Sequence, residues 1–265
     1  MDKVLANASF ISHKLLYTIK FPTLGVDMQR IIVFGKSKKK TQKVAHIVRA
    51  FRERGHATLW LNPAKIKRRK GHLTVPHILK HIEKFNPDII FIFSQDIPLP
   101  VLKQVSNSKI KTVMFYVDYP TSDAFYKLIK LAILVDHFLV SYWGLNDLYC
   151  SNGITNPKFV PDACDKYDHK LRQPILPLWK SDVAFIGTAR KDESRISLVK
   201  KISSFCKVKV FGKNWKNYGI NPSLTSVSSR GYSLVCGGTK INLGADQLNT
   251  VEGCWSNRLW LTLGC

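Results

Sequence analysis

Acidic residues are scarce in this chain: 18 Asp and Glu stand against 41 Lys and Arg over 265 residues, a formal charge of +23. Such a field favours polyanions, whether nucleic acid, anionic lipid headgroups or phosphorylated small molecules, and does not choose among them. The deficit is deepest at the start, where residues 1–100 hold 19 basic and 6 acidic side chains. Paired cysteines are missing too. Cys150, Cys164, Cys206, Cys236, Cys254 and Cys265 form no CxxC and no regular spacing, which argues against a zinc site or a disulfide framework and for reduced thiols in a cytoplasmic chain. No run approaches the ~18 uninterrupted apolar residues of a membrane span. The greasiest stretch, Leu128–Trp143, is broken by Lys130, Asp136 and His137 and reads as a buried helix followed by a strand.

A signal peptide is not expected either, because no apolar core with a small-residue cleavage site follows the first lysine. Residues 1–27 carry only Asp2 and Asp27 as acids, and their weak apolar pattern leads nowhere. They read as a flexible basic arm or an upstream translation artefact, with the folded protein starting near Met28. What is present is an ordinary globular composition, 45% hydrophobic and 22% charged, in a chain long enough for one large domain or two modest ones.

From Met28 apolar runs alternate with helical patterns, which predicts a parallel α/β sheet. Strands are expected at Ile31–Gly35, Ala57–Leu61, Asp88–Phe93, Lys111–Val117, Asp136–Ser141 and Lys158–Pro161. Helices are expected at Thr41–Arg54, where Val44, Ile47, Val48 and Phe51 share a face, at His77–Phe85 and at Leu99–Val105. These elements make residues 28–164 one Rossmann-like domain. Asp165–Lys180, polar at its start and holding Pro174 and Pro177, reads as the linker. A second lobe then begins at Ser181, with strands at Val183–Ile186, Val208–Phe211 and Lys240–Leu243 and a helix from Ser256. The fold class is therefore α/β with two Rossmann-like lobes, the second incomplete.

Several local patterns are weighed and set aside. Gly35–Ser37 (GKS) looks like the end of a phosphate-binding P-loop, but the required upstream glycine position is Arg30, so no amide arc can encircle a phosphate. His77 and His81 have the i, i+4 spacing of two metal ligands but no third partner nearby, and a solvated helix face accounts for them. No metal is expected. The basic clusters Lys36–Lys43 and Lys65–Lys70 (KIKRRK) lack interleaved aromatic residues, so they signal salt-sensitive anion binding and nothing more specific. Asp118 follows the fourth strand directly, in the region where open α/β sheets bind ligands. It suits either a base for a hydroxyl in the cleft or a cap for the helix after Pro120. Gly187–Thr188 ends the first strand of the second lobe and leads to a helix, and Arg190 and Arg195 could add bidentate contacts to a phosphate there.

In order, YVDYP (Tyr116–Pro120), FLVSYW (Phe138–Trp143), KFVPDACD with His169 (Lys158–Asp165), DVAFIGTAR (Asp182–Arg190), VKVFGKNW (Val208–Trp215), KINLG (Lys240–Gly244) and SNRLWLTLGC (Ser256–Cys265) resemble the CgeB-like glycosyltransferase family, spore-maturation-type proteins of GT-B architecture. The resemblance covers roughly residues 88–265. It implies a nucleotide-sugar donor on the C-terminal lobe, an acceptor of unknown identity on the N-terminal lobe, and no cofactor. By the same resemblance the donor contacts are Gly187, Thr188, Arg190, Gly212, Trp215, Ser256, Asn257 and Arg258, with Asp118 as the acceptor-side base. A helix start and Arg258 would neutralise the diphosphate leaving group, which such enzymes commonly manage without a bound metal.

Two departures stand out. Leu261 occupies the position where the family has a ribose-binding glutamate, and the pattern stops at Cys265 before its glycine-rich turn, as in a C-terminally truncated relative. Ser233–Gly238 is also less regular than the family pattern. The rival expectation is a non-catalytic basic module docking on nucleic acid or an anionic membrane.

Overall fold

The structure, a computed structural model, describes residues 27–37, 43–119, 122–172, 175–190, 193–245 and 251–265. Of the segments read above, residues 1–26, Lys38–Gln42, Pro120 and Pro174 lie outside them. The first lobe runs β1 (Arg30–Phe34), α1 (Lys43–Glu53), β2 (Ala57–Leu61), α2 (Pro63–Lys70), α3 (Thr74–Phe85), β3 (Ile89–Phe93), α4 (Leu99–Val105), β4 (Lys111–Tyr116), α5 (Ser122–Ala132), β5 (His137–Val140), α6 (Asn146–Ser151) and β6 (Lys158–Phe159). All six strands are parallel, in the order β2-β1-β3-β4-β5-β6.

Near-continuous apolar strands are what a sheet covered on both faces requires, and the period of two sorts their side chains. Ile32, Phe34, Ile90, Ile92, Met114 and Tyr116 pack with Ile78, Leu102 and Leu128 on one face. Ile31 and Val33 meet Val44 and Val48 of α1 on the other. The start of β5 is pinned to β4 by Asp136, whose carboxylate accepts from the Thr112 amide and hydroxyl, both at 2.8 Å.

The second lobe comprises β7 (Ser181–Ile186), α7 (Glu193–Ser203), β8 (Val208–Phe211), α8 (Ser229–Gly238), β9 (Thr239–Leu243) and α9 (Asn257–Gly264). Its described sheet is parallel, in the order β8-β7-β9. Ala184, Ile186 and Phe211 pack against Val235 and Cys236 of α8. Phe185 and Val210 face Ile196 and Val199 of α7, with Trp215 between. Among the described residues no helix is long and apolar enough to cross a membrane.

The expected strands hold to within a residue or two at their ends. The KIKRRK cluster, read only as charge, is the body of α2. Asn62 caps that helix by accepting from the Lys65 amide at 3.0 Å, Pro63 suits its first turn, and Ile66 anchors it to the core. Ser233–Gly238 forms the last turns of α8, and its irregularity is the Gly237–Gly238 pair at the helix end. The first residues of the segment expected as a linker are fastened on both sides. Arg49 of α1 reaches the Asp165 carboxylate at 2.6 Å, and His46 meets that of Asp168 at 2.9 Å. On the other side the Ser233 hydroxyl of α8 donates to the Asp168 main-chain carbonyl at 2.7 Å. Asp168 thus holds one lobe by its side chain and the other by its backbone.

Candidate functional site

The carboxyl ends of the two parallel sheets face each other across a cavity of about 310 Å³. Parallel sheets place ligands there because the βα loops and helix N-termini that can grip them converge at that end. The first lobe contributes Asp118 and Tyr119 beyond β4, Tyr142 beyond β5, Asp162 beyond β6 and Lys43 at the start of α1. The second contributes Thr188 and Arg190 beyond β7, Arg195 of α7, and the Cys254–Arg258 segment that opens α9.

On the first-lobe wall Asp118 is exposed, and its loop is tied down by the Tyr142 hydroxyl, which donates to the Asp118 main-chain carbonyl. Tyr142 is itself buried beside Tyr149. Burial pushes both phenols up, that of Tyr149 to about 12, so they stay protonated donors. Lys43 pairs with Asp162 and lies over the Phe93 ring at 5.9 Å. Among the described residues this wall therefore offers the Asp118 carboxylate, which has no ion-pair partner there, beside the closed Lys43–Asp162 pair.

The second-lobe wall is cationic and its guanidinium groups are braced. Arg195 donates to the Thr188 carbonyl at 3.1 Å and to the Ala245 carbonyl at 3.0 Å. Arg258 donates to the same Ala245 carbonyl at 2.9 Å. Both guanidinium groups sit over the Phe185 ring, at 5.5 and 5.8 Å. Ser256 is the N-cap of α9 and accepts from the Arg258 amide at 3.4 Å, which leaves the positive end of the helix dipole at the cavity.

Of the nine residues expected at the site, Asp118, Thr188, Arg190, Ser256, Asn257 and Arg258 line this one cavity. The other three, Gly187, Gly212 and Trp215, are not part of its lining and lie beneath it. Trp215 is fully buried, and its indole nitrogen donates to the Gly187 carbonyl at 2.7 Å. Gly212 has φ +151°, and a Cβ there would stand 1.9 Å from the Gly187 oxygen. Gly187 is covered by the Arg258 guanidinium, 2.9 Å from where its own Cβ would be. These three build the turn that presents Thr188 and Arg190. Leu261, in place of a ribose-binding acid, packs toward the core of the second lobe.

Lys43, Tyr142, Asp162 and Trp255 escaped the sequence reading as site residues. Asp162 and Tyr142 fell inside recognisable motifs, and Trp255 directly precedes Ser256, so proximity to a motif was the available signal. A larger hollow of about 680 Å³ lies at the opposite, amino-terminal end of β7, lined by Lys180, Asp182, Lys207 and Lys240. The Asp182 carboxylate there is already paired with Lys240 at 2.7 Å, and the helix end that the described residues bring to it is the C-terminus of α8, at Gly237 and Gly238.

One set of metal-type side chains comes together among the described residues: His46, Asp165 and Asp168, with ligand atoms within 4.8 Å of one another. Arg49 occupies it, 2.6 Å from the Asp165 carboxylate and 3.3 Å from that of Asp168, so the group is a neutralised ionic clasp. His77 and His81 stack edge to face at 4.7 Å. Desolvation, then the neighbouring His81 and lysines, lowers the His77 pKa, which suits a basic surface.

A family model described as a CoA-binding domain matches residues 29–134. No curated protein matches the chain. Among solved structures it is similar to an alpha-glucosyltransferase in complex with UDP and a 13-mer DNA containing an HMU base, at 12% identity over 82% of this chain and 72% of that one, with a TM-score of 0.57. It is similar also to an alpha-glucosyltransferase in complex with UDP-glucose and DNA containing an abasic site, at 9% identity over the same shares, with a TM-score of 0.54. At this identity the likeness is one of fold, and the chain has the two Rossmann-like lobes of the GT-B architecture.

Proposed function

We propose that the chain is a glycosyltransferase of the CgeB-like type, binding a nucleotide sugar in the interlobe cavity and passing the sugar to an acceptor held against the first lobe. One observation carries this reading. Arg190, Arg258 and the start of α9 come from segments about 70 residues apart in sequence and meet on one wall, opposite Asp118. Fixed cations and a helix N-terminus stabilise the charge that develops on a departing diphosphate. In this scheme Asp118 accepts the proton of the attacking hydroxyl. Ser256 and Asn257 position the phosphates, Thr188 lines the same wall, and Gly187, Gly212 and Trp215 hold the turn beneath. The UDP and UDP-glucose of the two solved structures make uridine diphosphates the first donors to try.

The test is calorimetric titration of the full chain with UDP-, GDP- and dTDP-linked sugars, followed by Arg258→Ala. Saturable binding that weakens in the variant supports the proposal. No binding of any nucleotide, by wild type at low salt, would sink it.

A second reading rests on α2, where five of eight residues are Lys or Arg, all exposed, with no acid among them. Such a helix fits a non-catalytic module docking on nucleic acid or an anionic membrane, and the CoA-binding model on this lobe is consistent with an anionic ligand there. Salt-sensitive retention on RNA or phosphatidylserine vesicles together with nucleotide indifference would favour it. A cytoplasmic location belongs to either reading and rests on six cysteines that are all free thiols.

A further inference from the structure

Beside the cavity lies a cluster of aromatic rings that neither reading uses. Trp255, on the second lobe just before α9, stands edge to face with Trp143 of the first lobe at 5.2 Å and with Trp260 at 6.3 Å. Phe159 of β6 closes the group, 4.8 Å from Trp143 and 6.4 Å from Trp255. The backbone is shaped to hold these rings. Gly253 has φ +66°, and a Cβ there would lie 2.5 Å from the Trp143 ring. The Gly144 amide donates to the Glu252 carbonyl at 2.9 Å, clamping the second-lobe segment onto the first lobe. Yet Trp255 remains 43% exposed and Phe159 36% exposed. A large ring fixed on several sides and left open toward a cavity is a rigid stacking surface rather than a core residue.

Charge in the cavity divides by wall. Arg190, Arg195 and Arg258 lie on the second lobe, whereas the first-lobe wall has the Asp118 carboxylate and the Lys43–Asp162 pair, which cancels itself. Phosphate therefore belongs on the second lobe and is repelled beside Asp118. What fits a cavity lined by both an indole face and a carboxylate is an uncharged ring with hydroxyls on its edge. A sugar ring answers this description: its C–H groups present a weakly positive apolar face to the π-cloud, and its hydroxyls reach the acid.

We infer that Trp255, seated against Trp143 and Phe159 of the first lobe, is the stacking platform of an acceptor subsite on the first-lobe side of the cavity, and that the acceptor is a neutral sugar residue of a glycan. This rests on the glycosyltransferase reading, and deepens it by naming the acceptor class. Trp143 and Phe159 position the platform, and the hydroxyl to be glycosylated points toward Asp118.

The test titrates the full chain with cellobiose, maltose and chitobiose, read by saturation-transfer NMR and tryptophan fluorescence, with UDP titrated in parallel. Binding of at least one disaccharide is expected. It should weaken about tenfold or more in Trp255→Ala and stay within about threefold in Trp255→Phe, which keeps a stacking face. UDP affinity should not change in either variant. The inference is overturned if none of the disaccharides binds, or if Trp255→Ala binds them as wild type does. It is equally overturned if the Ala variant loses UDP instead, or if an oligo-dT 8-mer is the Trp255-dependent ligand, because the ring would then stack on a base. UDP binding without saccharide binding defeats this inference alone. Trp255-dependent saccharide binding without nucleotide binding upholds the subsite and defeats the transferase reading.

Discussion

The Trp215 indole donates to the Gly187 carbonyl at 2.7 Å from beneath the turn that ends β7. The ring is wholly buried, so one side chain both fills the core of the second lobe and sets the height of the turn presenting Thr188 and Arg190. Trp215→Phe keeps most of the packing and strands the carbonyl. It should lower stability by about 1–3 kcal/mol, the cost of an unmet buried acceptor, and weaken UDP binding as the turn relaxes. Urea unfolding and calorimetry on the same variant read both effects.

Gly212→Ala presses on the same turn from the other side. With a Cβ 1.9 Å from the Gly187 oxygen, the two loops cannot keep their present separation. A loss of about 1–3 kcal/mol is expected from the overpacking, visible as a lower urea midpoint. Wild-type stability together with wild-type UDP affinity would show that the loops separate at no cost, contrary to this account.

Arg190→Ala and Arg258→Ala should each weaken UDP about 10–100-fold, the range of one charge-assisted hydrogen bond. Arg258 also braces the Ala245 carbonyl and covers Gly187, so its variant should melt earlier. Asp118→Asn should leave UDP binding unchanged and abolish transfer. Isothermal titration and a product assay separate these outcomes.

Stability should fall as pH is lowered from about 6.5. His169 is buried, and desolvation followed by the charge of His46 lowers its pKa. The unfolded chain therefore takes up this proton first, and the contribution of His169 is lost between the unfolded value and the lower folded one. Burial pushes the Asp165 carboxyl up, but the Arg49 guanidinium and the Asp168 and Tyr167 amides outweigh it and hold it below its ordinary value. That contribution is present above about pH 4 and disappears as pH falls through the folded value. Arg49→Ala should destabilise the protein at pH 7 and move the acid-unfolding midpoint upward, as followed by circular dichroism across pH 2–8.

The strands could be read from the chain because a sheet covered on both faces leaves little room for polar residues: RIIVF, IIFIF and SDVAFI declare themselves. The start of α9 was equally plain, since Ser256 is a good N-cap followed by a helical pattern. The basic helix α2 was hidden, because its inward residues, Pro63 and Ile66, are too few to give a periodicity within eight residues. Gly187 of DVAFIGTAR and Gly212 and Trp215 of VKVFGKNW, expected as donor contacts, lie against the turn and not on the cavity lining. Local spacing says that Trp215 is near Gly187, but only the packing of Phe185, Val210 and α7 says that it points inward.

Composition and periodicity are thus enough for two parallel-sheet lobes, which follow from interactions within a few residues of one another, whereas Ser256–Arg258 as donor contacts come only with the family resemblance. The fastening of Asp165 and Asp168 to α1, the closure of Lys43 on Asp162, and the gathering of Trp143, Phe159 and Trp255 join residues about 100 positions apart. No short-range pattern encodes such contacts. They arise when the sheets dock and burial decides, side chain by side chain, which charge is neutralised and which ring is left open.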